Sequence, residues 1–243
     1  MNVLITGTSS GIGYALAREF LENGATVYGI SCRLNKNLDK YACYHHLAHD
    51  LENHTGLPGK IRNFLCDIKT LDLVILNGGI KPDINDISKT SVDELAAVMN
   101  INVWANKVII DTLLETMTGL YQVVAISSGS YISNIAGWNA YTVSKSMLNT
   151  LMKLYSEEVP DTHFSAIAPG VFYTELQESA SDSFDYKDYP LARKLKNIKE
   201  KDQLTEPEYA ANYLVEAMGL VLQKESGLFM DVKDILYPAG SNV

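Results

Sequence analysis

The chain of 243 residues has few cysteines, no surplus of basic residues and no long apolar run. Its three cysteines, Cys32, Cys43 and Cys66, are too few and too widely spaced for a disulfide framework or a CxxC metal pair. We therefore expect a protein of a reducing compartment, the cytoplasm. No apolar stretch approaches the roughly 18 residues of a membrane span. The amino terminus also lacks the charged and apolar regions of a signal peptide.

Basic side chains are outnumbered, since 20 Lys and Arg stand against 29 Asp and Glu, a formal net charge of −9. A large nucleic-acid interface needs clustered cations, so neither a nucleic acid nor a membrane is an expected partner. The histidines at 45, 46, 49 and 54 have no acidic or cysteine ligand at metal-site spacing, and we expect no metal. Length and composition fit one large α/β domain or two small ones.

Short β-rich runs alternate with longer helical patterns along the chain, which is typical of βαβ units around a parallel sheet. Seven buried strands are predicted, at Val3–Thr6, Thr26–Ser31, Tyr44–His49, Leu73–Asn77, Gln122–Ser127, His163–Ala168 and Leu228–Val232. Five helices are predicted between them, at Ile12–Asn23, Pro58–Ile68, Ser91–Met117, Asn139–Glu158 and Pro207–Leu222. The rhythm never breaks, so we expect a single domain over residues 1–243. Residues 171–206 depart from it and are interpreted as a substrate-binding loop or lid.

A glycine-rich segment, Thr6-Gly7-Thr8-Ser9-Ser10-Gly11-Ile12-Gly13, joins the first strand to the first helix. Glycines let the backbone turn tightly and approach a pyrophosphate, and the helix N-terminus offers that anion N–H groups and a positive dipole end. The spacing is G-x-x-x-G-x-G, but its place between strand and helix indicates a dinucleotide site. The expected cofactor contacts in this segment are Gly7, Ser9, Ser10, Gly11, Ile12 and Gly13.

The segment Tyr141-Thr-Val-Ser-Lys145 places a phenol and an ammonium on one face of a predicted helix. The lysine would lower the phenol pKa from about 10, so that Tyr141 could act as an acid or base near neutral pH. Ser128 ends an apolar strand 13 residues earlier, where its hydroxyl could bond a substrate oxygen. Taken singly, Tyr141 and Lys145 are better explained as a surface i,i+4 pair, and the serines could equally form a turn.

In combination, these motifs resemble those of the short-chain dehydrogenase/reductase family in its ordinary short form, from Val3 to about Val232. The resemblance implies a Rossmann-type, doubly wound, mostly parallel seven-stranded sheet with helices on both faces. It also implies that Tyr141 is the general acid/base and that Lys145 tunes it and holds the nicotinamide ribose. Ser128 would stabilise the reacting oxygen, and Asn102 would position a water in a proton relay to Lys145.

The same resemblance implies further cofactor contacts. Asp50 and Leu51 would lie at the adenine, and Asn77, Gly78 and Gly79 stand where the family has NNAG, with Leu76 in place of its first Asn. Pro169, Gly170, Val171 and Thr174 match the family's segment near the nicotinamide. Tyr131, Trp138, Phe172 and Tyr173 flank these segments and could line a substrate pocket or fill the core.

The choice of cofactor is expected to depend on the end of the second strand, Ile30-Ser31-Cys32-Arg33, which has no acidic residue to select NAD. Ser31 can bond a 2′-phosphate and Arg33 can pair with it, which favours NADP. NAD stays open, because the position most often basic in NADP-using relatives is Cys32 here.

We therefore expect a hydride-transfer enzyme acting between a nicotinamide cofactor, NADPH favoured, and a carbonyl or secondary alcohol. An NADP-binding regulatory protein of the same fold without turnover is the alternative, although a sensor would not need the Ser–Tyr–Lys set. The resemblance further implies a homodimer or homotetramer formed through the helices Ser91–Met117 and Asn139–Glu158.

Overall fold

The computed structural model describes residues 1–82, 84–129, 136–170, 189 and 207–238. Its main sheet has seven strands in the spatial order β3 (Tyr44–Ala48), β2 (Thr26–Ser31), β1 (Asn2–Thr6), β5 (Leu73–Leu76), β7 (Gln122–Ile126), β8 (His163–Ala168) and β9 (Phe229–Asp231). All neighbouring strands of this sheet are parallel. The predicted doubly wound, seven-stranded α/β fold is therefore confirmed. The strand order reverses between β1 and β5, which is where such folds bind ligands.

The sheet is buried on both faces, as the continuous apolar runs predict. Val3 and Ile5 of β1 pack into one apolar cluster, and the intervening Leu4 packs into the other. The first cluster is covered by α1 (Gly11–Glu22) and α7 (Pro207–Val221). The second is covered by α3 (Leu57–Phe64), α5 (Ala105–Thr116) and α6 (Asn139–Glu158). The shorter α-helices are α2 (Lys36–Asp39), α4 (Val92–Met99) and α8 (Val232–Leu236), and a 3₁₀ helix spans Ile87–Lys89.

The single helix predicted over Ser91–Met117 is wrong in its middle. Ser91 does cap its start, since its hydroxyl accepts a hydrogen bond from the Glu94 amide at 3.1 Å. However, α4 and α5 are joined by a π-helical turn, Asn100–Trp104. The side chain of Asn106 bonds the carbonyl of Asn102 at 2.8 Å within this wider turn. Such turns often occur at functional sites.

Three smaller features also differ from the expectations. A two-stranded parallel pair, β4 (Thr70–Leu71) and β6 (Gly119–Leu120), stands apart from the main sheet. Helix α3 ends at Phe64, so Cys66 lies exposed beyond it rather than on a helix. β5 ends at Leu76, because Asn77 turns to bond β1.

In the part of the chain that the structure describes, no helix is long and apolar enough to cross a membrane. No group of three or more His, Cys, Asp or Glu side chains suited to a metal ion occurs among those residues either. The predicted substrate loop 171–206 lies outside the described residues apart from Tyr189. Val171, Thr174, Tyr131, Phe172 and Tyr173 also lie outside them.

A test of this packing is the substitution Gly13→Ala. The added methyl would lie 2.2 Å from the Gly7 carbonyl oxygen and 2.4 Å from Asn77 Nδ2, so the turn must shift. We expect the free energy of unfolding in urea to fall by about 1–3 kcal/mol. Gly59→Ala is the control, since Gly59 lies inside α3 with open space around it, and should gain about 0.5–1 kcal/mol. Wild-type stability of Gly13→Ala would contradict the packing.

Candidate active site

The site begins where the ends of β1 and β5 are tied together. The Thr6 hydroxyl accepts hydrogen bonds from the Asn77 amide at 3.0 Å and the Gly78 amide at 2.8 Å. Asn77 Nδ2 returns a bond to the Thr6 carbonyl at 3.1 Å. A methyl on Gly78 would lie 2.6 Å from Leu51 Cδ1, so Leu51 packs beneath this loop. Leu51 is 6% exposed, which makes it a core support rather than a surface contact.

The glycine turn lies against this tie. Gly7 and Gly11 have φ values of +77° and +58°, which favour glycine. The Gly7 amide bonds the Ile30 carbonyl at 2.8 Å, and Asn35 Nδ2 bonds the Ser9 carbonyl at 2.9 Å. Ser10 precedes α1 without capping it by its side chain. The first amides of a helix have no acceptor within it. The turn from Gly7 to Gly13 therefore fits the pyrophosphate of a dinucleotide.

At the end of β2, the hydroxyl of Ser31, a predicted cofactor contact, has partners within the protein. It is 5% exposed, and its Oγ donates to the Arg33 carbonyl at 2.9 Å. The same oxygen lies 3.0 Å from His46 Nε2 and 3.2 Å from Thr8 Oγ1. Thr8 in turn contacts the Tyr44 hydroxyl at 2.8 Å. Ser31 thus holds the Arg33 segment in place, while Arg33 itself is exposed.

A cavity of about 340 Å³ opens beside these residues. It is lined by Cys32, Ala48, His49, Asp50, Asn53 and Lys60. Lys60 Nζ lies 3.2 Å from His49 Nδ1, and His49 Nε2 lies 2.8 Å from the Asn53 carbonyl. Asp50, the predicted adenine contact, is exposed here and accepts a bond from the Glu52 amide at 3.0 Å. The place of Lys60 in this cavity was not predicted, because no sequence motif links a residue of α3 to the end of β2.

The candidate catalytic residues meet near the end of β7, as expected. Tyr141 and Lys145 share a face of α6, with Lys145 Nζ 5.6 Å from the centroid of the Tyr141 ring. Ser128 forms a hydrogen bond with the Tyr141 phenol. Lys145 is 5% exposed, and its Nζ donates to the Ile126 carbonyl at 2.7 Å. One β7 carbonyl therefore fixes the ammonium beside the phenol.

The ionisation of this pair is governed by burial. Burial raises the pKa of Tyr141 to about 12, although the hydrogen bond from Ser128 opposes the rise. Burial also lowers the pKa of Lys145 to about 8. The pKa of Tyr141 is therefore raised and not lowered as expected from Lys145, because withdrawal from water disfavours the charged form of each group. The phenol holds its proton at neutral pH, as a proton donor must.

Asn102 links three segments of the site. Its Oδ1 accepts a bond from the Ile80 amide at 2.8 Å, and its Nδ2 donates to the Ile80 carbonyl at 2.9 Å. The same Nδ2 donates to Ser144 Oγ at 3.0 Å, next to Lys145. A methyl on Gly79 would lie 3.0 Å from Asn102 Oδ1. Both ends of the Asn102 side chain are hydrogen-bonded, so a water in the expected relay would have to meet the backbone carbonyl of Asn102. That carbonyl already accepts a hydrogen bond from Asn106 Nδ2.

The polar residues that support this site from behind were not predicted from the sequence. Ser144 and Asn106 both bond Asn102, and Asn149 Oδ1 accepts the Ser127 hydroxyl at 2.6 Å. The spacing of four residues between Asn102 and Asn106 was the available signal. Pro169 and Gly170 follow β8 at the same edge of the sheet, where Gly170 has a φ of +92°.

The sequence profile of the short chain dehydrogenases matches residues 1–184. The chain belongs to the short-chain dehydrogenase/reductase family. It is accordingly an NAD(P)-dependent oxidoreductase of the class that acts on carbonyl and alcohol groups. The motif positions that suggested the family all lie in or next to the matched segment.

Similar proteins agree with this assignment. A benzil reductase ((S)-benzoin forming) of Bacillus cereus is 30% identical over 230 residues, which are 86% of this chain and 90% of that protein. A short chain dehydrogenase/reductase from Saccharomyces cerevisiae has a TM-score of 0.85 at 20% identity, covering 96% of both chains. A 3-ketoacyl-(acyl-carrier-protein) reductase from Brucella melitensis, solved with NADH, has a TM-score of 0.77 at 17% identity and covers 95% of this chain and 96% of its own. The two structures support the fold.

The buried Lys145 predicts a pH-dependent stability. Its pKa of about 8 lies below the ordinary value of 10.5, so between pH 8 and pH 10 the unfolded chain binds more protons than the folded one. The unfolding free energy should therefore rise with pH over this window, by about 2 kcal/mol for this lysine. Urea denaturation of Lys145→Met should show a rise smaller by that amount. Lys69→Met, which removes an exposed lysine, should keep the wild-type rise. Equal rises in all three proteins would contradict the burial of the charge.

Proposed function

We propose that this protein is an NADPH-dependent carbonyl reductase in which Tyr141 is the proton donor. The observation that supports this most is the half-buried phenol of Tyr141, which is hydrogen-bonded to Ser128 and whose ring centroid lies 5.6 Å from Lys145 Nζ. This set lies at the carboxyl end of β7, where the Ile126 carbonyl accepts a hydrogen bond from Lys145 Nζ. Acid, oxyanion donor and cation are the groups needed to reduce a carbonyl.

Reduced nicotinamide, when bound, supplies a hydride to the carbonyl carbon of the substrate while the C=O electron pair moves to oxygen. Tyr141 gives its phenolic proton to that oxygen, which completes the alcohol. Ser128 donates a hydrogen bond to the same oxygen as negative charge develops. Lys145 stabilises the phenolate left behind, because its ammonium is held near the ring by the Ile126 carbonyl. In the oxidation of an alcohol, each of these residues acts in reverse.

We propose NADPH rather than NADH, because Ser31 occupies the end of β2 where a carboxylate would select NADH. Arg33, two residues later, is exposed. In this proposal Arg33 pairs with the 2′-phosphate, and Ser31 supports it through its bond to the Arg33 carbonyl. Lys60 adds a second cation at the cavity beside them. In a chain of net charge −9, these local cations must attract the anionic cofactor.

We also propose a role for residues 171–206, an oligomeric state and a cellular location. Residues 171–206 would select the substrate, and the benzil reductase similarity makes a diketone such as benzil the first test substrate. A homodimer or homotetramer is favoured by exposed apolar side chains near or on the paired helices, namely Trp104, Val143 and Leu154. A cytoplasmic location is favoured by three free, exposed cysteines.

The role of Tyr141 is tested with Tyr141→Phe. Removal of the proton donor should lower kcat for NADPH-dependent reduction of benzil by about 10²–10⁴-fold. The affinity for NADPH, measured by fluorescence titration, should change little. Tyr121→Phe, which alters an exposed tyrosine, is the control and should keep wild-type kcat. A Phe variant with most of its activity would overturn the assignment. Cofactor binding without any turnover in the wild type would favour a regulatory protein.

The choice of cofactor is tested with Arg33→Ala. Loss of a charge-assisted bond to the 2′-phosphate should weaken NADPH binding by about 10–100-fold. NADH binding should remain as in the wild type, because NADH has no phosphate at that position. Isothermal titration with both cofactors measures this difference. An equal loss for both, or tighter binding of NADH than NADPH by the wild type, would contradict the proposal.

A further inference from the structure

Lys81 and Trp138 lie on two separate segments that also carry residues of the candidate active site. Lys81 follows Ile80, whose amide and carbonyl both bond the Asn102 side chain. Trp138 immediately precedes α6 and stands about one helical turn before Tyr141. Both side chains therefore start from backbone that is fixed relative to the Tyr141 phenol.

The two side chains meet in a cation–π contact. Lys81 Nζ lies 4.3 Å from the centroid of the Trp138 ring. Trp138 is 6% exposed and pairs through its backbone with Asn85. Asn139 Nδ2 donates to the Asn85 carbonyl at 2.7 Å, which joins this segment to the start of α6. The ammonium is thus held at a defined place on a rigid ring.

The Lys81 ammonium has no counter-ion among the described residues. No carboxylate of those residues forms a salt bridge with it. Asp86, five positions along the chain, instead bonds Lys89 at 2.8 Å and the Tyr189 hydroxyl at 2.9 Å. Burial lowers the pKa of Lys81 to about 8, and no opposing charge offsets that effect. An aromatic face attracts the charge but accepts few of its three N–H bonds.

A half-buried cation that has no counter-ion among the described residues is stabilised by an anion that reaches it. A neutral ketone would leave the ammonium as it is. A carbonyl compound with a carboxylate would supply the missing charge and would be oriented by it. An anionic substrate needs such a local positive charge, because the net charge of −9 on the whole protein repels anions.

We propose that Lys81, seated on Trp138, binds a carboxylate of the substrate, so that the enzyme prefers carbonyl compounds bearing a carboxylate to matched neutral ones. This inference rests on the proposed function, since Tyr141 must protonate the carbonyl of the same molecule. Lys81 is accordingly a specificity-determining residue, and it takes no part in proton transfer.

The first test compares phenylglyoxylate with its methyl ester, which has the same reacting ketone and no charge. With NADPH, the wild type should show the higher kcat/KM for the acid. Lys81→Met should lower kcat/KM for the acid by about 10–100-fold, mainly through KM, as expected for loss of a charge-assisted bond. The ester should change by less than about twofold. Lys69→Met, which alters an exposed lysine before β4, should resemble the wild type with both.

The second test needs no turnover. The chain has two tryptophans, and Trp104→Phe leaves Trp138 as the reporter. Benzoate titrated into this protein with NADP⁺ present should change the Trp138 fluorescence saturably, and Lys81→Met should weaken that binding at least about tenfold. Benzamide, the neutral counterpart, should bind equally to both proteins.

The two tests separate the inference from the function it rests on. Lys81-dependent benzoate binding without reduction of either ketone would support the anion site and overturn the proposed activity. Reduction of both ketones with the same small effect of Lys81→Met, or unchanged benzoate binding by that variant, would overturn the anion site and leave the activity standing.

Discussion

The organisation of this protein depends on a hydrogen-bonded tie at the point where the sheet reverses its order. The Thr6 hydroxyl at the end of β1 accepts the amides of Asn77 and Gly78 after β5. The Asn77 side chain returns a bond to Thr6, and there is no room for a methyl between it and Gly13. The glycine turn that would receive a pyrophosphate is therefore set at a fixed distance from the loop leading to Asn102.

From this tie, the chain of contacts continues to the reacting groups. Gly79 packs against Asn102, which bonds both the Ile80 backbone and Ser144. Ser144 precedes Lys145, whose ammonium is fixed by the Ile126 carbonyl next to the Tyr141 ring. The glycine turn and the proton donor are thus positioned by one polar network that lies behind them. Because buried polar groups are costly unless paired, such a network favours one arrangement over others.

The parts that could be predicted from the sequence are those encoded by local patterns. Parallel strands buried on both faces are continuous apolar runs, which is why the sheet was predicted. The predicted ends of its seven strands all lie within one residue of the observed ends. The four-residue spacing of Tyr141 and Lys145 likewise placed them correctly on one helical face.

Other features depend on contacts between distant segments and have no local signal. The π turn at Asn102 is favoured by a side-chain bond from Asn106, so a continuous helical pattern concealed it. The hydrogen bonds of Ser31 with His46 from β3 and Thr8 from the glycine turn are likewise invisible in the local sequence. The contact of Lys81 with Trp138 joins residues more than fifty positions apart. The pKa values of Tyr141 and Lys145 depend on burial, which spacing alone does not specify.

In the proposed function, the groups around Tyr141 direct a hydride to a carbonyl carbon. The most direct measurement uses NADPH deuterated at C4 of the nicotinamide with benzil as acceptor, and mass spectrometry of the benzoin formed. We expect one deuterium at the carbinol carbon, from only one of the two stereospecifically labelled cofactors, with one cofactor oxidised per product. Formation of benzoin without deuterium from either labelled cofactor, or no oxidation of NADPH or NADH with any carbonyl compound, would contradict it.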